Sequence, residues 1–390
     1  MFNNSSAMYD SSYFLFKPNA LNNAIQFFRA NFKGEVLYAV KTNPEDHIIS
    51  ALYNSGISNF DVASLGEIKH LRQLAPKATL YFMHPVKSRF AIREAYYDYD
   101  IKYFSLDSEE ELEKILNETN YATDLNLFVR IAIPNNYAEH SLSEKFGINL
   151  HEAHTLLRKV RPHAQKLGIC FHVGSQCMHP DAYRIGIRMA SKVIKDANVP
   201  VEYFNVGGGF PSIYPGMMPP PLTEYFDAIH EEFTGMNINS EMKLLSEPGR
   251  ALVAESSSLI VRVELRKKNN LYINDGTYGS LFDAGTPQFI FPVRLLGNSN
   301  PASTDLLPFS FYGPTCDSLD YMKGPFYLPN DIKEGDYIEI GQMGAYAKTM
   351  STSFNGFSQK KEYSISHEAP LMTMYQGTEF YEKPLEIIAA

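Results

Sequence analysis

The sequence predicts an α/β protein in which a (β/α)8 TIM-like barrel is followed by a C-terminal all-β domain. Between about Val36 and Arg250, eight short apolar runs alternate with segments of helical pattern, which is typical of repeated βα units. After about Ser256 the helical pattern fades, and β-rich segments broken by Gly, Pro and Asn follow. A chain of 390 residues is also longer than one hydrophobic core usually supports, so we expect two domains.

The eight apolar runs are rich in β-branched and aromatic residues, and each has the length of a single strand. They are VLYAV (36–40), NFDVAS (59–64), TLYFMHP (79–85), IKYFSLD (101–107), LNLFVRIAI (125–133), GICFHVG (168–174), VEYFNVGGG (201–209) and KLLSEPGR (243–250). Eight parallel strands close a barrel. A doubly wound open sheet is the rival, but the first run lacks a following Gly-x-Gly-x-x-Gly, which favours the barrel.

The segments between the runs carry helix start signals. Asp46 precedes an apolar run, and Ser64 is followed by Glu67 at the spacing of a capping box. Acidic residues follow Asp107 and would occupy the first turn of a helix, where they interact favourably with the helix dipole. These signals favour helices between the strands.

We expect the barrel to span residues 17–256 and the β domain residues 257–390. Residues 1–16 include the segment SYFLF from Ser12. We expect this segment to add an edge strand to the β domain, because chain termini often lie beside each other.

Composition and charge limit the classes of function. Hydrophobic residues make up 44% and charged residues 20%, which is typical of a folded globular protein. The net charge of -9 argues against nucleic-acid binding, which needs a surplus of Lys and Arg on one face.

The three cysteines, Cys170, Cys177 and Cys316, have no zinc-site spacing and favour a reducing compartment. The N-terminal region lacks the pattern of a signal peptide, and no run of apolar residues approaches 18 in length. We therefore expect a cytoplasmic protein without membrane contact.

In a (β/α)8 barrel the active site lies at the C-terminal ends of the strands. Polar residues and glycines lie within or directly after most of the eight runs. In chain order they are Lys41, Asp61, His84, Arg130, His172, Ser175, Gly207 to Gly209, Glu247 and Arg250. These residues are the site candidates of the barrel.

Lys41 directly follows the run VLYAV. Burial there would favour the neutral amine, which is the form that reacts with a carbonyl group, although a lysine at a strand end is more often simply solvated. The triple glycine ends the seventh run, where many barrels bind phosphate. Its backbone N–H groups would be open to an anion, since no side chains block them; a flexible turn is the alternative.

Two further candidates have competing interpretations. Glu247 could pair with a protonated ring nitrogen or form a salt bridge with a neighbouring Arg. His172 lies in an apolar run, where a core histidine is the more common case. Its neighbourhood lacks the spacing of metal ligands, so we expect no metal.

The segment YGPTCDSLDYM in the second domain combines a thiol with oxygen ligands or acids. Cys316 could serve as an acid or nucleophile, and Asp317, Ser318 or Asp320 could hold a cation. The alternative is a tight loop around a buried thiol.

Together these segments resemble the fold type III pyridoxal-phosphate decarboxylases, a group of ornithine, lysine, diaminopimelate and some arginine decarboxylases that shares its barrel with alanine racemase. The resemblance covers nearly the whole chain and is specific as a set. It rests on YAVKTNP around Lys41, FDVAS around Asp61, FHVGSQ around His172, NVGGGFP around Gly208, SEPGR around Glu247, GPTCDSLD around Cys316, and GAY and FNGF near the end.

The resemblance implies pyridoxal 5'-phosphate as the cofactor and a role for each matching residue. Lys41 would bind the cofactor covalently, His172 would stack on its ring, and Glu247 would keep the ring nitrogen protonated. The phosphate would be bound by Ser175, Gly208, Gly209, Gly249, Arg250 and Tyr346, and the cofactor would also be lined by Asp61 and Arg130.

The resemblance also implies a homodimer in which each subunit completes the other's active site. Cys316 would protonate the substrate Cα after carbon dioxide leaves, and Asp317 would bind the distal ammonium group. Tyr278 and Phe354 would contribute to substrate binding.

The expected reaction is decarboxylation of a basic L-amino acid, ornithine and/or lysine, to putrescine or cadaverine in polyamine biosynthesis. The CDSLD pattern is similar to the ornithine and lysine branch, whereas diaminopimelate enzymes usually carry Cys-Glu-Ser there. Asp283 does not align clearly with the acidic position that others use for the distal amine, so the choice between ornithine and lysine stays open. The alternatives are an arginine or diaminopimelate decarboxylase, an amino-acid racemase, or a regulatory homologue without activity.

Overall fold

The computed structural model describes residues 11–134, 136–140, 145–238, 240–297, 303–357 and 363–375. Within these, the chain forms two compact units. The barrel unit comprises residues 25–211 and 219–249, and the β unit comprises residues 11–24, 212–218 and 250–375.

Eighteen strands lie in the described residues. They are β1 (Tyr13–Phe16), β2 (Glu35–Ala39), β3 (Asn59–Val62), β4 (Thr79–Phe82), β5 (Tyr103–Leu106), β6 (Asn126–Arg130), β7 (Ala138–His140), β8 (Lys166–Cys170), β9 (Ser175–Cys177), β10 (Tyr203–Asn205), β11 (Lys243–Ser246), β12 (Ser257–Lys267), β13 (Asn270–Ile273), β14 (Val293–Leu296), β15 (Leu306–Tyr312), β16 (Tyr321–Pro329), β17 (Tyr337–Ile340) and β18 (Tyr363–Ile365).

Ten α-helices lie in the same residues. They are α1 (Pro18–Asn31), α2 (Asp46–Asn54), α3 (Leu65–Leu74), α4 (Arg89–Tyr97), α5 (Glu109–Glu118), α6 (Leu150–Val160), α7 (Asp181–Ala197), α8 (Leu222–Gly235), α9 (Arg250–Val253) and α10 (Phe282–Gly285).

Strands β2, β3, β4, β5, β6, β8, β10 and β11 form a closed barrel in which each neighbouring pair is parallel. Each contains residues from one of the eight predicted runs, so the predicted (β/α)8 barrel is confirmed. Its interior is packed with one side chain from each of several strands, as in other barrels. These side chains are Leu37, Tyr81, Phe128, Cys170, Tyr203 and Leu245.

The strands end earlier than the apolar runs, because the last residues of each run turn into the loops that carry polar groups. In the seventh run, β10 ends at Asn205, since Gly207 and Gly209 have φ angles of 69° and 102°, which residues with side chains rarely adopt. The predicted N-cap of α3 is present, with the Glu67 N–H donating to Ser64 Oγ at 3.2 Å. The Glu67 side chain reaches one residue further back than in a standard capping box, since its Oε2 accepts from the Ala63 N–H at 2.6 Å.

The β unit is a mixed sheet in the order β14-β17-β12-β13-β15-β16, and β1 also pairs with β12. Its core is apolar and largely aromatic and β-branched, for example Phe14, Val261, Phe311 and Ile338. The expected N-terminal strand is present, but it is not an edge strand: β1 pairs antiparallel with β12 and parallel with β18.

Candidate active site

Lys41 and Asp61 lie at the ends of neighbouring barrel strands. Lys41 follows β2 in a single 3-10 turn, Val40–Thr42, and its Nζ lies 3.2 Å from the Oδ2 of Asp61 on β3. Asp61 is buried, whereas the Lys41 side chain is 44% exposed. Of the two alternatives left open for Lys41, burial and solvation, the structure shows a partly exposed side chain, because the turn carries the amine out of the strand. The geometry leaves the amine accessible while the carboxylate fixes its position.

Glu247 follows β11 and is buried. Burial raises the pKa of its carboxyl to about 7, and the negative charge of Asp61 adds to the rise. Its Oε1 accepts a 2.6 Å hydrogen bond from Asn205 Nδ2, and within the described residues it forms no salt bridge with Arg. Asn205 was not among the predicted site residues; its only signal was its place before the triple glycine.

His172 lies in the loop after β8, and its ring state is fixed by one backbone contact. The Gly174 N–H donates to His172 Nδ1 at 3.0 Å, so the ring proton lies on Nε2. Burial, together with the positive charges of Arg130 and Lys41, holds the pKa of this imidazole well below its usual value. His172 is therefore a neutral ring.

The triple glycine is shaped by close contacts with the neighbouring backbone. A Cβ on Gly207 would lie 2.1 Å from Phe171 O, one on Gly208 2.5 Å from Glu247 O, and one on Gly209 2.4 Å from Gly174 O. A Cβ on Gly208 would also lie 3.1 Å from His172 Nε2. Only glycine fits at these positions, so the segment is a packed loop and not a flexible turn.

The backbone amides of this loop are partly used within the protein. The Gly207 N–H donates to Asn205 Oδ1 at 2.8 Å, whereas the Gly208 and Gly209 N–H groups have no acceptor among the described residues. Two adjacent free N–H donors suit an anion such as phosphate. Gly249 is equally confined, because a Cβ there would lie 2.1 Å from Thr42 Oγ1.

Three other predicted barrel residues lie at or beyond strand ends. Arg130 ends β6, and its guanidinium lies 5.5 Å from the centre of the Phe146 ring. Ser175 begins β9, which pairs with β7. His84 follows β4 and packs edge-on against the same Phe146 ring.

In the β unit, Arg250 is a buried cation with two polar partners. Its Nη1 donates to Tyr214 Oη at 2.9 Å and its Nη2 to Asp283 Oδ2 at 3.1 Å. The guanidinium lies 4.9 Å from the centre of the Tyr346 ring. Its Nε is buried without a hydrogen-bond partner among the described residues, and a buried donor of this kind favours an anionic ligand.

The predicted loop residues of the β unit lie together. Tyr278 Oη donates to Asp317 Oδ2 at 2.6 Å, and the Tyr278 and Phe354 rings lie 4.9 Å apart. The Cys316 N–H donates to Asn355 Oδ1 at 3.0 Å. Hydrogen bonds from the Leu319 amide and Tyr278 lower the pKa of Asp317, so its carboxylate is charged. Cys316 is exposed, which excludes the alternative of a buried thiol.

Asp320 links two of these loop segments through hydrogen bonds. The buried carboxylate accepts hydrogen bonds from the Thr277 N–H at 2.7 Å, the Thr315 N–H at 3.0 Å and Thr315 Oγ1 at 2.7 Å. It is therefore a structural carboxylate and not a cation ligand. Among the described residues no cluster of three or more His, Cys, Asp or Glu suits a metal ion, and no helix is long and apolar enough to cross a membrane.

Residues 19–254 match the family model described as the pyridoxal binding domain of the pyridoxal-dependent decarboxylases. The match covers more than half of the chain. The protein belongs to the pyridoxal-dependent decarboxylases. The family predicted from the motifs is thereby confirmed, as is the cofactor, pyridoxal phosphate.

Similar proteins share both sequence and fold with this decarboxylase. A lysine/ornithine decarboxylase of Selenomonas ruminantium is 31% identical over 344 residues, which cover 85% of this chain and 84% of that protein. A crystal structure of a lysine/ornithine decarboxylase from Vibrio vulnificus, complexed with cadaverine, is 26% identical with a TM-score of 0.79, covering 92% of this chain and 95% of that one. The arginine decarboxylase of Paramecium bursaria Chlorella virus is 26% identical with a TM-score of 0.80, covering 91% and 95%.

The residues present fit the cofactor of this decarboxylase. The barrel unit offers an accessible amine, a buried carboxyl, a neutral ring and two free backbone amides. These are the groups needed for an aldehyde, a pyridine nitrogen, an aromatic face and a phosphate.

Proposed function

We propose that this enzyme decarboxylates L-ornithine and/or L-lysine to putrescine or cadaverine, and so acts in polyamine synthesis. The observation that carries the choice of substrate is the charged carboxylate of Asp317, held by Tyr278 beside the exposed thiol of Cys316. A carboxylate suits the distal ammonium of a diamino acid. The same substrates are supported by two similar proteins, from Selenomonas ruminantium and Vibrio vulnificus, which are both named lysine/ornithine decarboxylases.

The other acids of these loops are already engaged. Asp320 binds the Thr277 and Thr315 amides, Asp275 accepts from Ser12 Oγ and the Ser280 N–H, and Asp283 forms an ion pair with Arg250. Asp317 also accepts two hydrogen bonds, but it is neither buried, as Asp275 and Asp320 are, nor paired with a cation, as Asp283 is. Among these four acids, Asp317 is therefore the one assigned to the substrate. Asp283 is assigned to holding Arg250 and not to selecting the substrate.

In the barrel unit, we assign Lys41 to covalent attachment of the cofactor, His172 to its ring face, and Glu247 to its ring nitrogen. Bound pyridoxal phosphate supplies an electron sink for the charge that develops at the substrate Cα when carbon dioxide leaves. Glu247 supports this by holding a proton at the ring nitrogen. Asp61 and Arg130 line the same strand ends, and Ser175, Gly208, Gly209 and Gly249 are assigned to phosphate binding.

In the β unit, Arg250 and Tyr346 are assigned to the phosphate, because the guanidinium retains an unused donor and packs on the Tyr346 ring. Cys316 is assigned to protonating the substrate Cα through its thiol. Tyr278 and Phe354 would orient the substrate through Asp317 and through their paired rings.

We propose a homodimer in which Cys316 and Asp317 act in the active site of the other subunit. The loop that carries them and the segment 354–357, which is hydrogen-bonded to Cys316, expose apolar side chains that a partner would cover: Leu319 is 72%, Phe357 50% and Phe354 44% exposed. Mixing Lys41→Ala with Cys316→Ala subunits tests this. With shared sites, about a quarter of the wild-type activity returns, because half of the dimers carry one intact site; if each subunit uses its own Cys316, no activity returns.

The substrate is tested by measuring carbon dioxide release from ornithine, lysine, arginine and diaminopimelate side by side. We expect kcat/KM to be highest on ornithine or lysine and to fall in Asp317→Asn. Highest turnover on arginine would instead support the alternative raised by the viral arginine decarboxylase of similar fold. Loss of optical activity without release of carbon dioxide would indicate a racemase, and a purified protein that binds no cofactor would indicate a regulatory homologue.

Cytoplasmic residence stays a prediction from the sequence.

A further inference from the structure

Asn205 occupies a position between two groups of the cofactor site. Its side chain is fully buried at the end of β10. Nδ2 donates to Glu247 Oε1 at 2.6 Å, and Oδ1 accepts from the Gly207 N–H at 2.8 Å. One amide thus joins the end of the seventh barrel strand to the carboxyl that follows the eighth.

We infer that Asn205 is a positioning residue that orients the Glu247 carboxylate and keeps it ionised for the ring nitrogen of the cofactor. This inference rests on the proposed role of Glu247. In this role Asn205 acts through Glu247, to which it is hydrogen-bonded, and not on the substrate itself.

The amide is suited to this role because it is fixed from both sides. The Gly207 N–H can bond only to the amide oxygen, so the NH2 group must point at Glu247. The backbone is fixed as well, since the Glu247 N–H donates to Gly207 O at 2.8 Å. The carboxyl therefore receives a neutral donor in one orientation, and a hydrogen bond to an ionised group is stronger than one between neutral groups.

The surroundings of Glu247 make this donor important. Burial and the charge of Asp61 raise the pKa of Glu247, whereas Lys41, the Asn205 hydrogen bond and Arg130 lower it, and the net result is a pKa of about 7. The carboxyl thus titrates near neutral pH, where one hydrogen bond changes the ionised fraction substantially. The titratable groups that interact with it are Asp61 on β3, Lys41 after β2, Arg130 on β6 and Cys170 on β8.

The test is cofactor affinity, measured by equilibrium dialysis of pyridoxal phosphate against the cofactor-free protein from pH 6 to 9. Asn205→Ala should weaken binding about ten-fold at pH 7. Because loss of the donor raises the pKa of Glu247, the fall in affinity on acidification should begin at a higher pH than in the wild type. A purely structural role would not move this pH dependence. Unchanged affinity and pH dependence would overturn the inference.

A double-mutant cycle separates action through Glu247 from action through Gly207. If Asn205 acts through Glu247, Asn205→Ala should have little further effect on affinity in a Glu247→Ala background. Additive losses would overturn the inference and point to the Gly207 contact. If Glu247→Ala alone leaves affinity unchanged, the proposed role of Glu247 itself fails, which is a different outcome.

Two further variants control for folding. Asn205→Ser keeps a hydroxyl that can accept from the Gly207 N–H two residues on but is too short to reach Glu247, so it should lose affinity as Asn205→Ala does. Tyr203→Phe removes a hydroxyl from the same strand, in the barrel interior, and should bind the cofactor as the wild type does. Full affinity in a folded Asn205→Ser variant would contradict the inference.

Discussion

The hydroxyl of Tyr278 donates a 2.6 Å hydrogen bond to Asp317 Oδ2, so the carboxylate assigned to the substrate is held by a second residue of the same unit. Tyr278 is itself anchored, because the Thr352 N–H donates to its carbonyl at 2.8 Å and its ring packs on Phe354. These contacts therefore link the segments around residues 278, 317 and 354.

Tyr278→Phe tests the value of this hydrogen bond. The variant keeps the ring contact but frees the Asp317 carboxylate to rotate, so KM for ornithine or lysine should rise by about three- to five-fold with a smaller change in kcat. Steady-state kinetics measure both. Tyr321→Phe, which removes a hydroxyl bonded to Ser310 Oγ in the same unit, is the control and should leave KM unchanged. A fall in kcat alone would contradict a role in substrate binding.

Asp320→Ala should destabilise the β unit. It leaves the Thr277 and Thr315 amides and the Thr315 hydroxyl without their acceptor, and unsatisfied buried donors should cost about 3 kcal/mol of unfolding free energy. Urea unfolding measures the loss. Asp331→Ala removes an exposed carboxylate that accepts from the Ser303 amide and should change stability by less than about 0.5 kcal/mol. Equal stability of the two variants would show that Asp320 is not a structural carboxylate.

Gly208→Ala should weaken cofactor binding by about ten-fold, because its Cβ would lie 2.5 Å from Glu247 O and 3.1 Å from His172 Nε2. Equilibrium dialysis with pyridoxal phosphate is the measurement. Gly235→Ala is a matched control in the same unit, since nothing lies within 4 Å of its Cβ position, and it should bind the cofactor normally. Wild-type affinity in Gly208→Ala would exclude this loop from the cofactor site.

Glu255 gives the stability of the protein a predictable pH dependence. Burial raises the pKa of its carboxyl from 4.5 to about 7, so the folded state binds this proton more tightly than the unfolded state does. The unfolding free energy therefore falls as the pH rises from about 4.5 to about 7. Glu255→Gln cannot ionise and can still accept the Met374 N–H, which donates to Glu255 Oε1 at 2.7 Å.

We expect Glu255→Gln to be about 2 to 3 kcal/mol more stable than the wild type at pH 8 and close to it at pH 4.5. Denaturant unfolding at the two pH values measures the difference. Glu334→Gln, at an exposed position of the same unit, should show no such difference between the two pH values. A stability gain for Glu255→Gln that is equal at both pH values would contradict the argument.

The sequence predicted the barrel because its signals are local. Each strand is a short apolar run such as that of β2 or β4, and helix starts such as Ser64 with Glu67 are readable within four residues. The predicted runs were too long at their C-terminal ends because hydrophobicity continues past the point where hydrogen bonding stops. The sequence left the burial of Lys41 undecided for the same reason, since a single 3-10 turn after β2 is not visible in the composition.

Long-range contacts explain what the sequence could not supply. Asn205 meets Glu247 across 42 residues, and Arg250 meets Asp283 across 33. Neither pair has a spacing that predicts contact. The resemblance to known decarboxylases named most of the site residues, but it gave no partner for Asp283 and no role for Asn205. Those two findings depend on the folded geometry.

Covalent attachment of the cofactor to Lys41 is the claim on which the proposed reaction depends, and it can be measured directly. The protein is loaded with pyridoxal phosphate, reduced with borohydride, and examined by intact-mass and peptide mass spectrometry. The account predicts one adduct per chain on Lys41 and none in Lys41→Ala, with Lys87, which is buried and paired with Glu111, unmodified in both. An adduct confined to another lysine, or no adduct in the loaded wild type, would contradict it.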